Sequence, residues 1–320
     1  MANSTIHECE EMLRFRVRRY LNEQPWGVEL KNTLRKLELE GCSAYMVGGF
    51  LRDLMLDGPS ANPRDIDIVF DRISPDQVEF LFWNQPKRKN RFGGMRINFG
   101  DCPLDIWSLE DTWAFRNKKV HQINFSTFPE TTFLNVDAIA FRWRHNSEAE
   151  IFSRGFFEGL LTQTLEINLE DNPFPETCIV RSLIMASALN FKIGPKLATY
   201  ISRHSKDVCL KELRKIQNAH YGSVKLDGDD FREYFDAICA QLSRDKKAAV
   251  SLPGRQLKLE EKPAKTNKRK KTFTGWVSEI AETFFVYTKP VRRLKKKFVK
   301  TSPTINVLNV HPQWLTKIPD

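Results

Sequence analysis

Several things are missing from this sequence, and each absence narrows what it can be. The six cysteines, at positions 9, 42, 102, 178, 209 and 239, are scattered and include no C-x-x-C pair. No zinc site is spelled out, and the thiols read as reduced, as in a cytoplasmic protein. No run of about 18 apolar residues occurs, so no membrane span is expected. The opening MANSTIHECEEML carries acidic residues where a secretory leader would have an apolar core. The six histidines stand apart from one another, and no His-Asp doublet of a metal phosphohydrolase is present. What is there is 320 residues with a formal net charge of +10. That length holds two or three compact units. That charge suits an acidic partner such as RNA.

The most informative stretch is Ala44 to Phe70, AYMVGGFLRDLMLDGPSANPRDIDIVF. Tyr45, Met46 and Val47 form a short apolar strand before the Gly48-Gly49 turn. Phe50, Leu51, Leu54 and Met55 then recur at helical spacing. Pro59 and Pro63 mark a loop. Asp65, Ile66, Asp67 and Ile68 alternate as a half-buried strand does, which puts the two aspartates on one face. Two carboxylates side by side repel each other, and a divalent cation relieves the repulsion. Mg²⁺ is commonly held by one or two carboxylates together with substrate phosphates. A Gly-Gly turn lets the backbone approach a phosphate, and the helix after it points N–H groups at the anion. Alone, an Asp-x-Asp is usually a solvated edge and a Gly-Gly is usually a turn. Their order and spacing are what point to phosphoryl or nucleotidyl transfer.

In that order and spacing, VGGFLRDLML and PRDIDIVF resemble the signature of the tRNA nucleotidyltransferase (CCA-adding)/poly(A) polymerase family, within the DNA polymerase β-like superfamily. The resemblance, over roughly residues 30–220, implies an α+β fold: a head with a mixed sheet and flanking helices, then an all-helical neck. The basic C-terminal region that follows is read from its own residues and lies outside the resemblance. It also implies that Gly48 and Gly49 meet the triphosphate, that Arg52 and Asp53 shape the nucleotide pocket, and that Asp65 and Asp67 hold catalytic metals. Mg²⁺ or Mn²⁺ is the expected cofactor. An NTP, with ATP or CTP favoured, is the expected substrate.

The remaining chain is read around this stretch. Residues 8–22 and 27–40 are amphipathic helices, and Gly41 stops the second. Ser74-Pro75 signals a helix start. Lys87-Arg88-Lys89 with Arg91 is either a solvated loop or a phosphate contact. Residues 95–107, MRINFGDCPLDIW, read as a hairpin about Gly100-Asp101. Met95, Ile97 and Phe99 share one face of its first strand. Leu104 and Ile106 share a face of the second, with Asp105 and Trp107 opposite. If the hairpin lies beside the Asp65 strand, Asp105 becomes a third carboxylate, and the resembled family completes its metal site in this way. The alternative is a surface aspartate on an edge strand. Trp107 could stack on a base, though packing is the commoner use. Asp137, in the segment TTFLNVDAIAFRW, reads as structural rather than as a ribose contact.

Residues 178–193, CIVRSLIMASALNFKI, form an apolar helix resembling the family's neck helix, and Arg181 matches one of its arginines. The family's base-reading Glu-Asp-x-x-Arg would fall on Phe174, Pro175 and Cys178, which cannot hydrogen-bond a base edge. Residues 196–222 continue as helices, and 231–242 form another. Lys258 to Lys271 is poor in apolar residues and reads as a linker. The run Arg292, Arg293, Lys295, Lys296 and Lys297 is either a solvated tail, an address signal or an RNA-backbone contact.

The organisation expected is a nucleotidyltransferase head over 1–150, a helical neck over 151–225 and a helical, basic region over 226–320, with a linker near 255–271. The activity expected is metal-dependent transfer of an NMP from an NTP to an acceptor hydroxyl. An RNA 3′ end is the favoured acceptor, with tRNA one candidate. The alternatives are nucleotidylation of a protein or small molecule, and a non-catalytic RNA-binding relative. No membrane partner is expected, and the oligomeric state is open.

Overall fold

The computed structural model describes residues 2–39, 41–58, 61–72, 76–77, 87–89, 94–99, 102–144, 148–205 and 209–254. The chain divides into two units, Met1–Pro263 and Ala264–Asp320. Several expectations lie outside the described residues: the Ser74-Pro75 helix start, Arg91, the Gly100-Asp101 turn, the linker near 255–271, and the run Arg292, Arg293, Lys295, Lys296 and Lys297.

Helices α1 (Ala2–Glu23) and α2 (Gly27–Leu39) form because their apolar residues recur every three to four positions. Leu13, Val17, Tyr20 and Leu21 on the first, and Leu30, Leu34 and Leu37 on the second, are buried. The corner between them is tight. A Cβ at Gly27 would fall 1.8 Å from the Leu21 carbonyl oxygen, so only glycine fits there.

The sheet is built from β1 (Ser43–Val47), β2 (Ile66–Asp71), β3 (Lys87–Lys89), β4 (Met95–Phe99), β5 (Cys102–Ser108), β6 (Ile139–Arg142) and β7 (Glu150–Ser153). Helix α3 (Gly49–Asp57) joins β1 to β2, and a short α4 (Trp113–Arg116) follows β5. The strand order is β3-β4-β5-β2-β1-β6-β7. Only the β2–β5 pair is parallel among the described strands of this sheet, so the sheet is mixed.

Alternation sorts its residues into two faces. Met46, Ile66, Ile68, Phe70, Met95, Ile97, Leu104, Ile106, Ile139 and Phe141 join one core with α1, α2 and α3. Tyr45, Val47, Val69 and Ala140 pack on the other face against Leu109, Phe115, Phe125 and Phe128. Asp67, Asp105 and Arg96 alternate out of the first core and so share this second face.

The second half has its own core. It contains α5 (Phe156–Leu161), β8 (Thr164–Leu165), α6 (Pro175–Leu189), β9 (Lys192–Ile193), α7 (Pro195–His204), α8 (Leu210–Tyr221) and α9 (Gly228–Arg244). Ile179, Val180, Leu183, Leu197, Ile201, Leu213, Phe231 and Ile238 meet in it. An Asp227–Asp230 capping box opens α9.

Two expectations are corrected by these elements. Lys87-Arg88-Lys89 is not a loop. It is the edge strand β3, paired antiparallel with β4, and basic residues on an edge discourage further pairing. The helix read over 178–193 spans Pro175–Leu189 instead. Asn190 takes a left-handed conformation at φ 55° and ends it, and Lys192-Ile193 pairs with β8. Among the described residues, no helix is long and apolar enough to cross a membrane.

Candidate active site

The site begins where β1 stops. Gly48 has φ 69° and ψ −137°, a conformation that side chains resist. Helix α3 starts at the next residue, and no side chain caps its N-terminus. Its first N–H groups therefore remain available to an anion. The Asp67 carboxylate lies directly under the turn: a Cβ at Gly48 would sit 3.7 Å from Asp67 Oδ2.

Backbone register brings the second carboxylate in. Asp67 and Asp105 are direct partners in the parallel β2–β5 ladder. Asp65 precedes β2 by one residue, and its side chain is 14 % exposed. On the far side of Asp105, the antiparallel β4–β5 ladder places Arg96 opposite it. Arg96 Nε donates to Asp105 Oδ1 at 2.7 Å, and Nη2 donates to Asp105 Oδ2 at 2.5 Å and to Asp65 Oδ2 at 2.6 Å. Arg64 Nε reaches Asp65 Oδ2 at 3.2 Å. Burial, reinforced by the charges of Asp65 and Asp105, pushes the Asp67 carboxyl up to about 7, and the positive charge of Arg181 opposes the rise.

A second charged network lies beside the first. Arg52, on α3, donates to Asp53 Oδ1 through Nε and Nη2 at 3.0 and 2.8 Å, and to Asp137 Oδ1 through Nη1 at 2.5 Å. Arg181, on α6, donates to the other Asp137 oxygen at 2.7 Å. Burial alone would raise the Asp137 carboxyl, but Arg181 and Arg52 outweigh it and hold it below the ordinary range. Asp53 goes the other way: burial raises it more than Arg52 lowers it. The Arg52 side chain is 12 % exposed; its hydrogen bonds run to Asp53 and Asp137, with a long one to Met185 Sδ at 3.9 Å. Asp137 is thus the joint between α3, the 135–137 turn and α6.

Residues 44–138 match the family model of the poly A polymerase head domain. The matched segment carries the Gly48-Gly49 turn, Asp65, Asp67 and Asp105. No curated protein matches the chain. Among solved structures, the chain resembles a Thermotoga maritima CCA-adding enzyme complexed with tRNA, at 17 % identity and TM-score 0.49, covering 72 % of this chain and 53 % of that one. It also resembles a tRNA nucleotidyltransferase complexed with a primer tRNA and an incoming ATP analogue, at 18 % identity and TM-score 0.46, covering 66 % and 59 %. A third likeness is to a tRNA-processing enzyme, at 17 % identity and TM-score 0.47, covering 68 % and 55 %. The chain thus spans little more than half the length of the first structures it resembles.

Within the head domain, the sites anticipated from sequence fall into two groups. Gly48, Asp65, Asp67 and Asp105 are drawn to one end of the β2–β5 pair. Gly49 opens α3, and Arg52 pairs with both Asp53 and Asp137. Trp107 donates to Thr112 Oγ1 at 3.1 Å and packs beside Val69 and Leu109, so it is a packing residue. Phe174 precedes α6 and Pro175 opens it, while Cys178 is buried.

Two participants were missed, Arg64 and Arg96. Arg96 could have been found by counting: a two-residue turn at 100–101 pairs residues whose numbers sum to 201, and 96 goes with 105. Among the described residues, no three acidic, thiol or imidazole side chains converge on one point as metal ligands would. The donor set nevertheless fits a hard divalent cation. It offers carboxylate oxygens alone, it carries more negative charge than burial favours, and a guanidinium already spans Asp65 and Asp105 as a stand-in for positive charge.

Proposed function

We propose that this protein is a nucleotidyltransferase. It takes an NTP, ATP or CTP favoured, and moves the NMP to an acceptor hydroxyl, releasing pyrophosphate. An RNA 3′ end is the favoured acceptor, with tRNA one candidate. The observation that carries this reading is the alignment of Asp67 with Asp105 beneath the uncapped turn at Gly48. The poly A polymerase head-domain match over the same residues supports it. In this reading residues 1–150 are the catalytic head, 151–225 the neck and 226–320 a helical, basic C-terminal region with a linker near 255–271. The run Arg292, Arg293, Lys295, Lys296 and Lys297 would then contact the RNA backbone.

Asp65, Asp67 and Asp105 would hold Mg²⁺ or Mn²⁺, which lowers the pKa of an attacking hydroxyl and stabilises a leaving pyrophosphate. The chain's own groups do the rest. The N–H groups at Gly49 and Phe50 seat phosphate oxygens, and Gly48 keeps side-chain atoms out of their way. Arg52 and Asp53 shape the pocket wall: Arg52 anchors α3 to Asp137, and Asp53 holds the Arg52 guanidinium. The acceptor oxygen bonds to the α-phosphorus as the α–β bridging bond breaks, and the hydroxyl proton leaves to solvent. Positioning and charge stabilisation dominate such a transfer.

A second reading keeps the chemistry and changes the acceptor to a protein or small molecule. Its motivation is the neck: Phe174, Pro175 and the buried Cys178 stand where the resembled family reads a base, and they offer no polar edge. A transfer assay separates the readings. Full-length protein and the Asp65→Ala/Asp67→Ala control are incubated with Mg²⁺, each α-labelled NTP, total RNA and protein extract. Label on an RNA 3′ end, absent with the control, supports the first reading. Label only on protein or a small molecule supports the second. No label with any NTP, together with tight and salt-sensitive RNA binding, overturns both in favour of a non-catalytic RNA binder.

A further inference from the structure

We infer that Arg96 is a built-in countercharge that must leave the Asp65–Asp105 pair before a divalent cation can be held there, so that metal binding at this site is an exchange. The inference deepens the proposed function and rests on its metal site. Three observations carry it.

First, Arg96 takes up the oxygens a cation would need. Its Nε and Nη2 occupy both oxygens of Asp105, and Nη2 also takes Oδ2 of Asp65. A cation of the Mg²⁺ type requires direct carboxylate ligation at about 2.1 Å. A cation there competes with the guanidinium for the same oxygens, and the two positive charges repel at that distance.

Second, the ladder sets the placement. Arg96 lies directly across from Asp105, between Met95 and Ile97, both of which are buried in the core. Those neighbours fix the face from which its side chain leaves. The guanidinium therefore returns to the same carboxylate whenever nothing else is there.

Third, Arg96 can move out. Its side chain is 46 % exposed, whereas those of Asp65 and Asp105 are 14 % and 25 % exposed. Release needs a rotamer change into solvent and no repacking.

The test is a metal titration that does not use activity. Full-length wild type, Arg96→Met, Arg96→Lys and Asp67→Asn proteins are stripped with chelator. Each is titrated with Mn²⁺, bound ion being counted by electron paramagnetic resonance, and with Mg²⁺, followed by thermal unfolding. Arg96→Met should bind Mn²⁺ more tightly than wild type by about tenfold or more, within the usual range for two coupled sites. Metal-free Arg96→Met should melt below wild type and gain more from Mg²⁺. Arg96→Lys, which keeps the charge but loses the two-pronged grip, should fall between. Equal or weaker Mn²⁺ binding by Arg96→Met, with binding lost in Asp67→Asn, overturns the exchange and leaves the metal site standing. No binding by any of the proteins overturns both. If Arg96→Met does not fold, Arg96→Lys carries the comparison: affinity no tighter than wild type overturns the inference.

Discussion

Arg52 Nη1 meets Asp137 Oδ1 at 2.5 Å across 85 positions of sequence, and Arg181 closes on the other oxygen of the same carboxylate. One aspartate thereby fastens α3, the helix after the Gly-Gly turn, to α6 in the second half.

Replacing it should therefore be costly and pH-dependent. Breaking a buried ion pair costs about 3–5 kcal/mol when the partner is left uncompensated; the loss here should be smaller, because Arg52 keeps Asp53 and Arg181 is half exposed. The Asp137 carboxyl is held below its ordinary value by Arg181 and Arg52 against its burial. Its contribution is present above the unfolded carboxylate pKa and is lost as pH falls through the lower folded value. Asp137→Asn should thus lose stability at pH 7 by urea unfolding, and the difference from wild type should shrink in acid. A constant difference across the pH range would contradict the role given to the pair.

Asp67 has the opposite sign. Its carboxyl in the metal-free fold titrates near 7, raised by burial and then by Asp65 and Asp105. Stability from such a group is complete below the ordinary carboxylate pKa of about 4 and is lost as pH rises through the folded value. In chelator, the melting temperature of wild type should fall between pH 5 and 8 more steeply than that of Asp67→Asn. Adding Mg²⁺ at pH 8 should restore wild type and leave Asp67→Asn where it was.

Gly48 should tolerate no side chain. Its φ of 69° with ψ −137° is a region where a non-glycine residue costs about 1–3 kcal/mol. The added methyl would also stand 3.7 Å from the Asp67 carboxylate, on the side assigned to the triphosphate. Gly48→Ala should fold with a lower melting temperature and show a raised KM for NTP. An unchanged KM would remove the turn from the phosphate site.

The carboxylates should matter to turnover much more than to fold. Asp105→Asn keeps the size of the side chain and a hydrogen-bond acceptor for Arg96 but loses the charge. It should lower transfer by about a hundredfold or more, in line with the loss of one electrostatic contact at a reacting centre. Circular dichroism should be unchanged. Transfer within a few-fold of wild type would take Asp105 out of the site.

Much of this was visible in the order of residues. The Asp65-Ile66-Asp67-Ile68 alternation gave the faces of β2, and Leu104, Asp105 and Ile106 gave those of β5, because a strand with one buried side must alternate. The β4–β5 pairing could be read from the Gly100-Asp101 signal in the sequence. Joining it to β2 in parallel could not be read from residues alone, since that pairing is made across a long connection. Lys87-Arg88-Lys89 looked like a loop because charge marks both loops and protected edges. The Asp137 network was hidden for a different reason. Arg52, Asp137 and Arg181 are far apart in sequence, and nothing local to any of them says that the three meet. The start of α9 at Gly228 was set by the Asp227–Asp230 box, a local signal that could have been read.

The parallel pairing of β2 with β5 also makes errors conspicuous. A slip of one residue in the partnering of β5 would turn Asp105 under α1, α2 and α3, and push Leu104 and Ile106 into water. A chain that mispairs its carboxylates would thus lose its core as well, and it would be open to a protease before it could occupy substrate. The same alternation that lines up the two aspartates serves as proofreading for the fold: few molecules can be well formed yet catalytically misaligned.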